Sequence, residues 1–194
     1  MGAAPKASPA RLGLLAGALG PPAVAGLLLE RPIEQRLRGP LALAGGLLAG
    51  AAGLLAADTA PQRRRESDAG WRDGLWLGAA QACALVPGVS RSGAALTCAR
   101  ARGFDRVAAS RLSWEAGLPV LLGAGALKGW RVLSGGGWRK RGRALGVAGL
   151  GAFASTLATA RIIGLERRAP LWPWAAWRAM LAAAVLTVRQ NRAR

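Results

Sequence analysis

Ser90, Arg91 and Ser92 are the residues whose types and spacing point most directly to chemistry. They lie in the segment PGVSRSG (residues 87–93), which interrupts otherwise apolar sequence. A guanidinium is a planar donor that suits phosphate and carboxylate oxygens. Flanking hydroxyls can donate to the same oxygens or attack phosphorus. The cluster therefore predicts a site for an anion, and its apolar surroundings favour a phosphate carried by a lipid.

The glycines of this segment support the same prediction. Gly88 and Gly93 allow a ligand to approach the backbone closely. If a helix begins at about Ser92, its free N–H groups point toward the same anion. A second interpretation fits equally well on chemistry alone, in which Arg91 forms an ion pair with Glu115 and only locks the fold. Glu115 is notable because it is a carboxylate within an apolar segment.

Composition indicates which elements hold this cluster in place. The chain has 194 residues, is 52% hydrophobic and carries a formal net charge of +18. Its charges lie between apolar segments, which is typical of a polytopic membrane protein. A pI near 12 would also suit a nucleic-acid-binding protein, but no basic stripe follows a helical face. We therefore expect a membrane and no nucleic acid as partner.

The absence of histidine excludes several kinds of site. Without His there is no Ser-His-Asp triad, no His-based zinc site and no His general base. Cys83 and Cys98 are interpreted as small buried residues in preference to a disulfide or metal ligands. The residues by themselves identify no metal site.

Five apolar segments are long enough to span a bilayer, since about 18 residues rise about 27 Å as a helix. The first superficially resembles a signal peptide, but it is too long and lacks a clear cleavage site. We predict a kink in it at Pro21-Pro22. The five predicted spans are residues 12–29, 41–57, 112–127, 144–163 and 171–188.

Residues 75–86 and 93–99 are apolar but too short to span. The Pro-Gly turn lies between them, so residues 75–99 predict a re-entrant helix–loop–helix. Irregular backbone at membrane depth is tolerated only where protein buries it or a wet cavity adjoins it, which is the geometry of a site. The predicted fold is all-α, a polytopic membrane helix bundle of about five spanning helices plus this re-entrant pair, in a single integral membrane domain (residues 1–194).

The connecting segments carry most of the charge. Residues 30–38 predict a short charged loop or an interfacial segment, and residues 58–73 predict a polar loop. In that polar loop, Arg63-Arg64-Arg65 is interpreted as a topogenic or headgroup-binding feature. Asp105 predicts the N-cap of the next helix. The basic loop 128–143 is predicted to be cytoplasmic.

The second predicted span contains glycines suited to close packing, and the last contains a charged residue. Gly45, Gly46, Gly50 and Gly53 predict close helix–helix approach. Arg178 lies inside the last span, where a charge is costly unless it is paired or near water.

Residues 78–93 (GAAQACALVPGVSRSG) resemble the second signature of the undecaprenyl-diphosphatase family, also called the bacitracin-resistance protein family. The residues that follow at the family's spacing are Arg106, Ala109, Ser113, Pro119 and Gly123-Ala124. The resemblance is dense over residues 81–127 and looser from residue 12 to the C-terminus.

The resemblance implies an enzyme of the bacterial inner (plasma) membrane. Such enzymes hydrolyse undecaprenyl diphosphate to undecaprenyl phosphate and inorganic phosphate, which recycles the lipid carrier of peptidoglycan synthesis. They thereby serve cell-wall biogenesis and cell shape, and confer resistance to bacitracin. It also implies two inverted repeats, each with a re-entrant pair, and a divalent cation, Mg²⁺ or Ca²⁺.

Carried onto this sequence, the resemblance makes Arg91 and Ser90 the catalytic pair. Arg91 would bind the diphosphate, and Ser90 would place a hydroxyl in the phosphate site. The implied substrate-binding residues are Ser92, Gly88, Gly93 and Gln81. Glu115 is the possible acidic partner, facing Arg91 as its ion-pair partner or as a stand-in metal ligand. The alternative is an interfacial Glu115 about one turn inside its helix.

The sequence departs from the family in two ways. The family's Thr two residues after the signature Gly is Ala95 here, and Thr97 faces a different direction on a helix. A first repeat with a Glu-rich motif and a Ser-Ser-Gly-His-like motif is not found. We therefore expect the chain to correspond to the C-terminal two-thirds of the family enzyme.

This departure leaves other functions open. The chain would alternatively be an inactive protein that binds or transports lipid phosphate, or the C-terminal part of a split enzyme. In the split case a homo-oligomer or a partner chain would supply the missing repeat. A small transporter unrelated to the family is a weaker alternative. A lipid phosphatase whose motifs need His is disfavoured.

Overall fold

The protein is built from α-helices. The computed structural model describes residues 8–134, 151 and 169–193. Within those ranges the chain forms no β-strand, only a single bridge between Arg64 and Phe104, which confirms the all-α prediction. The helices are α1 (Pro9–Arg36), α2 (Pro40–Asp58), α3 (Trp71–Ala82), α4 (Arg91–Ala101), α5 (Arg106–Ser134) and α6 (Trp172–Ala193), with short 3₁₀ turns at Glu66–Asp68 and Cys83–Leu85. The predicted span 144–163 lies outside the described residues except for residue 151.

Helices α3 and α4 form the predicted helix–loop–helix, here called the hairpin (residues 71–101). Its tip (residues 86–90) turns at Gly88, whose φ of 90° is accessible mainly to glycine. Its two ends meet again, because Asp73 in the first turn of α3 binds Arg102 just after α4. The Pro-Gly break therefore reverses the chain as predicted.

Helix α1 packs closely on α3 because glycines face each other across the contact. A Cβ added to Gly78 would lie 2.7 Å from the carbonyl oxygen of Gly17, and one added to Gly17 would lie 2.9 Å from the amide nitrogen of Leu75. Real side chains do not approach backbone so closely, so only glycine permits this separation. This is the small-residue contact that brings membrane helices together.

Helix α2 packs against the other side of the hairpin and against α6 through glycines that were predicted to allow close helix–helix approach. Gly46 lies against the backbone of Pro87, Gly50 against Arg178 of α6, and Gly53 against the methyl group of Thr97. Gly45 faces open space. Three of the four glycines therefore serve the close approach that the sequence predicts.

Two apolar clusters fill the interior. The first lies among α1, α3, α4 and α5, and its large side chains are Leu14, Leu77, Phe104 and Leu112. Small alanines complete it, so the helices pack closely. The second cluster joins α2 to α6 through Ala51, Leu54, Leu171 and Ala175.

Helices α1 and α2 are long and apolar enough to cross a membrane, judged by length and composition. Helix α1 also exposes large apolar side chains, among them Leu27 (77% exposed) and Leu28 (68%). An exposed apolar face of this size is expected where lipid covers the surface. These helices suggest a membrane protein, and the count of five spans stays a prediction.

Two predicted loops are helical over part of their length. Residues 128–134 of the predicted basic loop 128–143 belong to α5. The segment 30–38, expected to be a charged loop or an interfacial segment, is helical as far as Arg36, so the loop alternative is wrong. Its polar residues are good helix formers, so charge alone does not end α1. The chain turns at Gly39, whose φ is 150°, and Pro40 then starts α2, which is the usual order of stop and start signals.

Candidate functional site

The tip runs into α4 through Ser90. The Ser90 hydroxyl accepts a hydrogen bond from the Gly93 amide at 3.2 Å and lies 3.2 Å from the Ser92 hydroxyl. Ser90 is thus the N-cap, and α4 begins at Arg91, one residue before the predicted start. The amides of Arg91 and Ser92 have no acceptor among the described residues. They remain free to bind an anion at this helix N-terminus.

Arg91 is half-buried. Within the described ranges its guanidinium forms no ion pair and no hydrogen bond. The tip, which precedes Arg91 in the chain, packs closely on α2, since a Cβ added to Gly88 would lie 2.8 Å from the amide nitrogen of Leu47. Arg91, Ser90, Ser92, Gly88 and Gly93 are therefore brought together, with the guanidinium lacking a partner.

Glu115 is not the partner of Arg91, and the hypothesis of that ion pair is wrong. Glu115 binds Arg11 of α1, and Arg11 also donates to Glu66 at 2.8 Å. Glu115 lies nine residues into α5, about 14 Å from its start, beside the loop that carries Glu66. Glu115 therefore lies about two and a half turns into its helix and not one turn, and its interfacial position stays a prediction.

Glu66 completes the group by accepting from Arg111 at 2.9 Å. Burial raises the pKa of Glu66, but the hydrogen bonds from Arg11 and Arg111 outweigh burial and lower it. The carboxylate therefore stays ionised and links α1 to α5 through the connecting loop.

Gln81 has packing contacts in the structure. Its side chain is 1% exposed, and its amide nitrogen donates to the carbonyl oxygens of Ala116 at 3.3 Å and Ala18 at 3.5 Å. Its amide oxygen is buried without a hydrogen-bond partner. These contacts tie α3 to α1 and α5 and do not include the tip, and the role of Gln81 in substrate binding stays a prediction.

Asp73 closes the end of the hairpin opposite the tip, here called the base. Its two carboxylate oxygens accept from Arg64 at 2.8 Å each, and from Arg102 at 2.6 Å. The Gly70 amide donates to it at 3.0 Å. Burial raises the pKa of Asp73, but these donors lower it overall to about 2.

The sequence did not reveal this role of Arg64, which was grouped with its neighbours as a headgroup-binding feature. Arg64 also stacks on Phe104, with the guanidinium carbon 4.1 Å from the ring centroid. Arg63 and Arg65 are exposed and stay candidates for the predicted role. One sequence signal pointed to the role of Asp73, namely its position three residues after Gly70, the N-cap of α3.

Asp58 and Arg100 organise the same end of the bundle. Asp58 accepts from Arg106 at 2.9 Å and from the amide of Leu171 at 3.1 Å, which fixes the start of α6 on α2. Arg100 is fully buried near the end of α4. It donates to the carbonyl oxygens of Ala60 at 2.8 Å and Asp58 at 3.1 Å, so it caps the end of α2.

Arg178 of α6 lies at the tip, a position that sequence reasoning did not predict. Its guanidinium donates to the Gly88 carbonyl oxygen at 3.5 Å and adjoins Gly50 and Gly93. The sequence signal for a special role of Arg178 was that it is a charged residue inside an apolar segment.

The described carboxylates do not fit a divalent cation. No group of three or more Asp, Glu or Cys side chains is close enough to hold a metal ion in the part of the chain that the structure describes. Asp58, Asp73, Glu66 and Glu115 all bind arginines there. The cation that the resemblance implies would need ligands from elsewhere.

Comparison with known proteins gives one family. The family model described as "Bacitracin resistance protein BacA" matches residues 3–184. Undecaprenyl-diphosphatase from Geobacter sulfurreducens is 39% identical over 183 residues, covering 89% of this chain and 65% of that protein. The protein of the same name from Anaeromyxobacter dehalogenans (strain 2CP-C) is 49% identical over 124 residues, covering 62% of this chain and 41% of that protein.

A further relative agrees with these two. Undecaprenyl-diphosphatase 2 from Stutzerimonas stutzeri is 34% identical over 176 residues, covering 87% of this chain and 64% of that protein. The aligned region thus spans between 41% and 65% of the length of these three curated relatives.

Proposed function

The chain belongs to the bacitracin resistance protein BacA family, and on that premise we propose that it acts as an undecaprenyl-diphosphatase. The reaction would cleave the phosphoric anhydride of undecaprenyl diphosphate. Water adds to the terminal phosphorus, the bond to the bridging oxygen breaks, and undecaprenyl phosphate leaves with inorganic phosphate as the second product. The proposed location is the bacterial plasma membrane, which the chain crosses several times.

The observation that carries the proposal is the unpaired Arg91 beside two hydroxyls at the start of α4. The guanidinium would bind the diphosphate oxygens and stabilise the charge that develops on them. Ser90 is engaged as the N-cap, so it orients the loop and presents its hydroxyl only in part. Ser92 is exposed and has more of its hydrogen-bonding capacity free for a phosphate oxygen.

The proposed membrane arrangement places the tip below the surface. Gly46, which touches the tip, lies 12 residues before Asp58 at the end of α2, a rise of about 18 Å. The base, with its charged side chains, would lie at the interface, and the exposed leucines of α1 would face lipid. The hairpin would then be re-entrant, alongside about five spanning segments.

A divalent cation, Mg²⁺ or Ca²⁺, is part of the proposal although the described carboxylates do not fit it. Diphosphate oxygens bind such ions, and further ligands would come from another chain or a second copy. If so, chelation would abolish phosphate release and leave the unfolding temperature of the ligand-free protein unchanged.

The test is phosphate release by the full chain purified in detergent. The substrate is undecaprenyl diphosphate with Mg²⁺ or Ca²⁺, and the variant is Arg91→Ala. We expect release by the wild type and a loss of at least about 100-fold in the variant. The matched control is Arg189→Ala, an exposed arginine on α6, which should leave the rate unchanged. Equal rates for wild type and Arg91→Ala would refute the assigned site.

A second candidate is a lipid-phosphate-binding protein without turnover, which is favoured by the engagement of Asp58, Asp73, Glu66 and Glu115 with arginines. It predicts binding of the diphosphate lipid with no phosphate release. If the chain is instead part of a split enzyme, release would begin when a chain bearing the acidic repeat is added. The two outcomes separate these alternatives.

A further inference from the structure

A second guanidinium lies at the tip, on a different helix from Arg91. Arg178 lies seven residues after Leu171, about two turns into α6. Its Nη1 is 3.5 Å from the Gly88 carbonyl oxygen. Its Nη2 is 3.3 Å from the point where a Cβ of Gly93 would lie, and the Ser90 hydroxyl oxygen is 3.4 Å from that same point. Arg178 and the N-cap of α4 therefore border one small space.

Glycines create the room for this guanidinium. A Cβ on Gly50 of α2 would overlap Nη1 of Arg178. Gly93 leaves the opposite side open in the same way. The side chain of Arg178 thus reaches the tip through a slot between α2 and α4 that any larger residue at Gly50 would fill.

Most N–H donors of Arg178 have no hydrogen-bond acceptor among the described residues. A guanidinium has five N–H donors, and the one hydrogen bond of Arg178 within the described ranges is at 3.5 Å, the limit of such bonds. No carboxylate of the described residues lies within 4.0 Å of it. Arg100, by contrast, donates to the carbonyl oxygens of three residues.

An arginine inside an apolar segment is costly unless it meets a partner. We propose that Arg178 is a second phosphate-binding residue, which binds a prenyl diphosphate together with Arg91 and favours diphosphate over monophosphate. The proposal rests on the proposed function, in that it takes the tip as the substrate site. A diphosphate offers more oxygens and more negative charge than a monophosphate, so a second guanidinium favours it.

The experiment measures binding separately from turnover. The probes are farnesyl diphosphate and farnesyl monophosphate, titrated into the full chain in detergent, with phosphate release recorded in parallel. The variants are Arg178→Met, Arg178→Lys and Gly50→Ala, and the matched control is Arg189→Met on the same helix. The unfolding temperature without ligand reports any structural damage.

We expect Arg178→Met to weaken farnesyl diphosphate binding by about 10- to 100-fold and farnesyl monophosphate binding by a smaller factor. Arg178→Lys should recover part of the affinity, because the charge returns without the planar fork. Gly50→Ala should weaken diphosphate binding too, since it displaces the guanidinium and keeps its charge. Arg189→Met should bind both probes as the wild type does.

The outcomes separate this inference from the proposed function. Binding that depends on Arg178 without any phosphate release would refute the hydrolase and support the inference. Phosphate release with unchanged Kd and KM in Arg178→Met would refute the inference and support the hydrolase. Equal weakening of both probes together with a lower unfolding temperature would make Arg178 a structural residue. A wild type that binds neither probe also overturns the inference.

Discussion

Replacing Gly46 by Ala is expected to displace the tip from α2, whereas the same change at Gly45 is not. A Cβ on Gly46 would overlap the carbonyl oxygen of Pro87 and lie 3.1 Å from the amide nitrogen of Val89. A Cβ on Gly45 would meet nothing within 4 Å. The two residues are neighbours on one helix, so the pair isolates the contact from helix propensity.

The size of the effect follows from these distances. Real Cβ atoms essentially never come within 3.0 Å of backbone, so the tip must move by about 1 Å, and such overpacking costs about 1–3 kcal/mol. Gly45→Ala should instead stabilise α2 by about 0.5–1 kcal/mol through helix propensity. Because a misplacement of about 1 Å at a reacting centre can cost about 100-fold in rate, Gly46→Ala should also lose phosphate release.

The assay is unfolding in detergent followed by Trp fluorescence, together with farnesyl diphosphate binding and phosphate release. Gly46→Ala should unfold earlier and bind more weakly than Gly45→Ala. If the two variants unfold at the same point and bind equally, the tip does not rest on Gly46 and the described docking on α2 is incorrect. Loss of stability with unchanged binding would mean that the tip is not the anion site.

Two further predictions concern the charged residues at the other end of the bundle. Asp73→Asn should lower the free energy of unfolding by about 2–3 kcal/mol at pH 7, with Asp68→Asn as the control of smaller effect. The pKa of Asp73 falls from 3.8 to about 2 on folding. This stabilisation is therefore complete above about pH 4 and disappears as the pH falls toward 2. A difference in unfolding free energy between wild type and variant that does not change with pH would refute this prediction. Glu115→Gln should lower the unfolding free energy by about 1 kcal/mol, because the ion pair with Arg11 is lost. Titration of the purified variant with farnesyl diphosphate should show unchanged binding. Weakened binding would restore Glu115 as a site residue.

Much of the hairpin could be predicted from the sequence by rules that relate residues close to one another in the chain. The Pro-Gly turn, a helix start near Ser92 and the Asp105 N-cap all follow from interactions within four residues along the chain, and Ala108 does donate to Asp105 at 2.8 Å. The resemblance added the identity of the signature. The glycines of α2 were also predictable, because close helix approach in apolar sequence needs small residues.

Partners distant in sequence were not predictable in the same way. The sequence suggested Arg91 as the partner of Glu115, whereas the packing of α1 on α5 selects Arg11. Arg178 meets Gly88 across 90 residues, and no periodicity relates them. In the same way, Arg64 could not be separated from Arg63 and Arg65 before the position of Asp73 was known.

The distribution of charge along the hairpin favours the tip as the proposed site. At the base, Asp58, Asp73 and Glu66 each bind at least one arginine, so attraction between opposite charges is satisfied within the chain. At the tip, about 18 Å away along α2, Arg91 and Arg178 have no carboxylate within 4.0 Å among the described residues. A positive charge without a carboxylate partner in apolar surroundings is stabilised by an anion. Under the proposed function, a diphosphate bound at the tip would accept from both guanidiniums, and a carboxylate supplied from outside the described residues would compete with it.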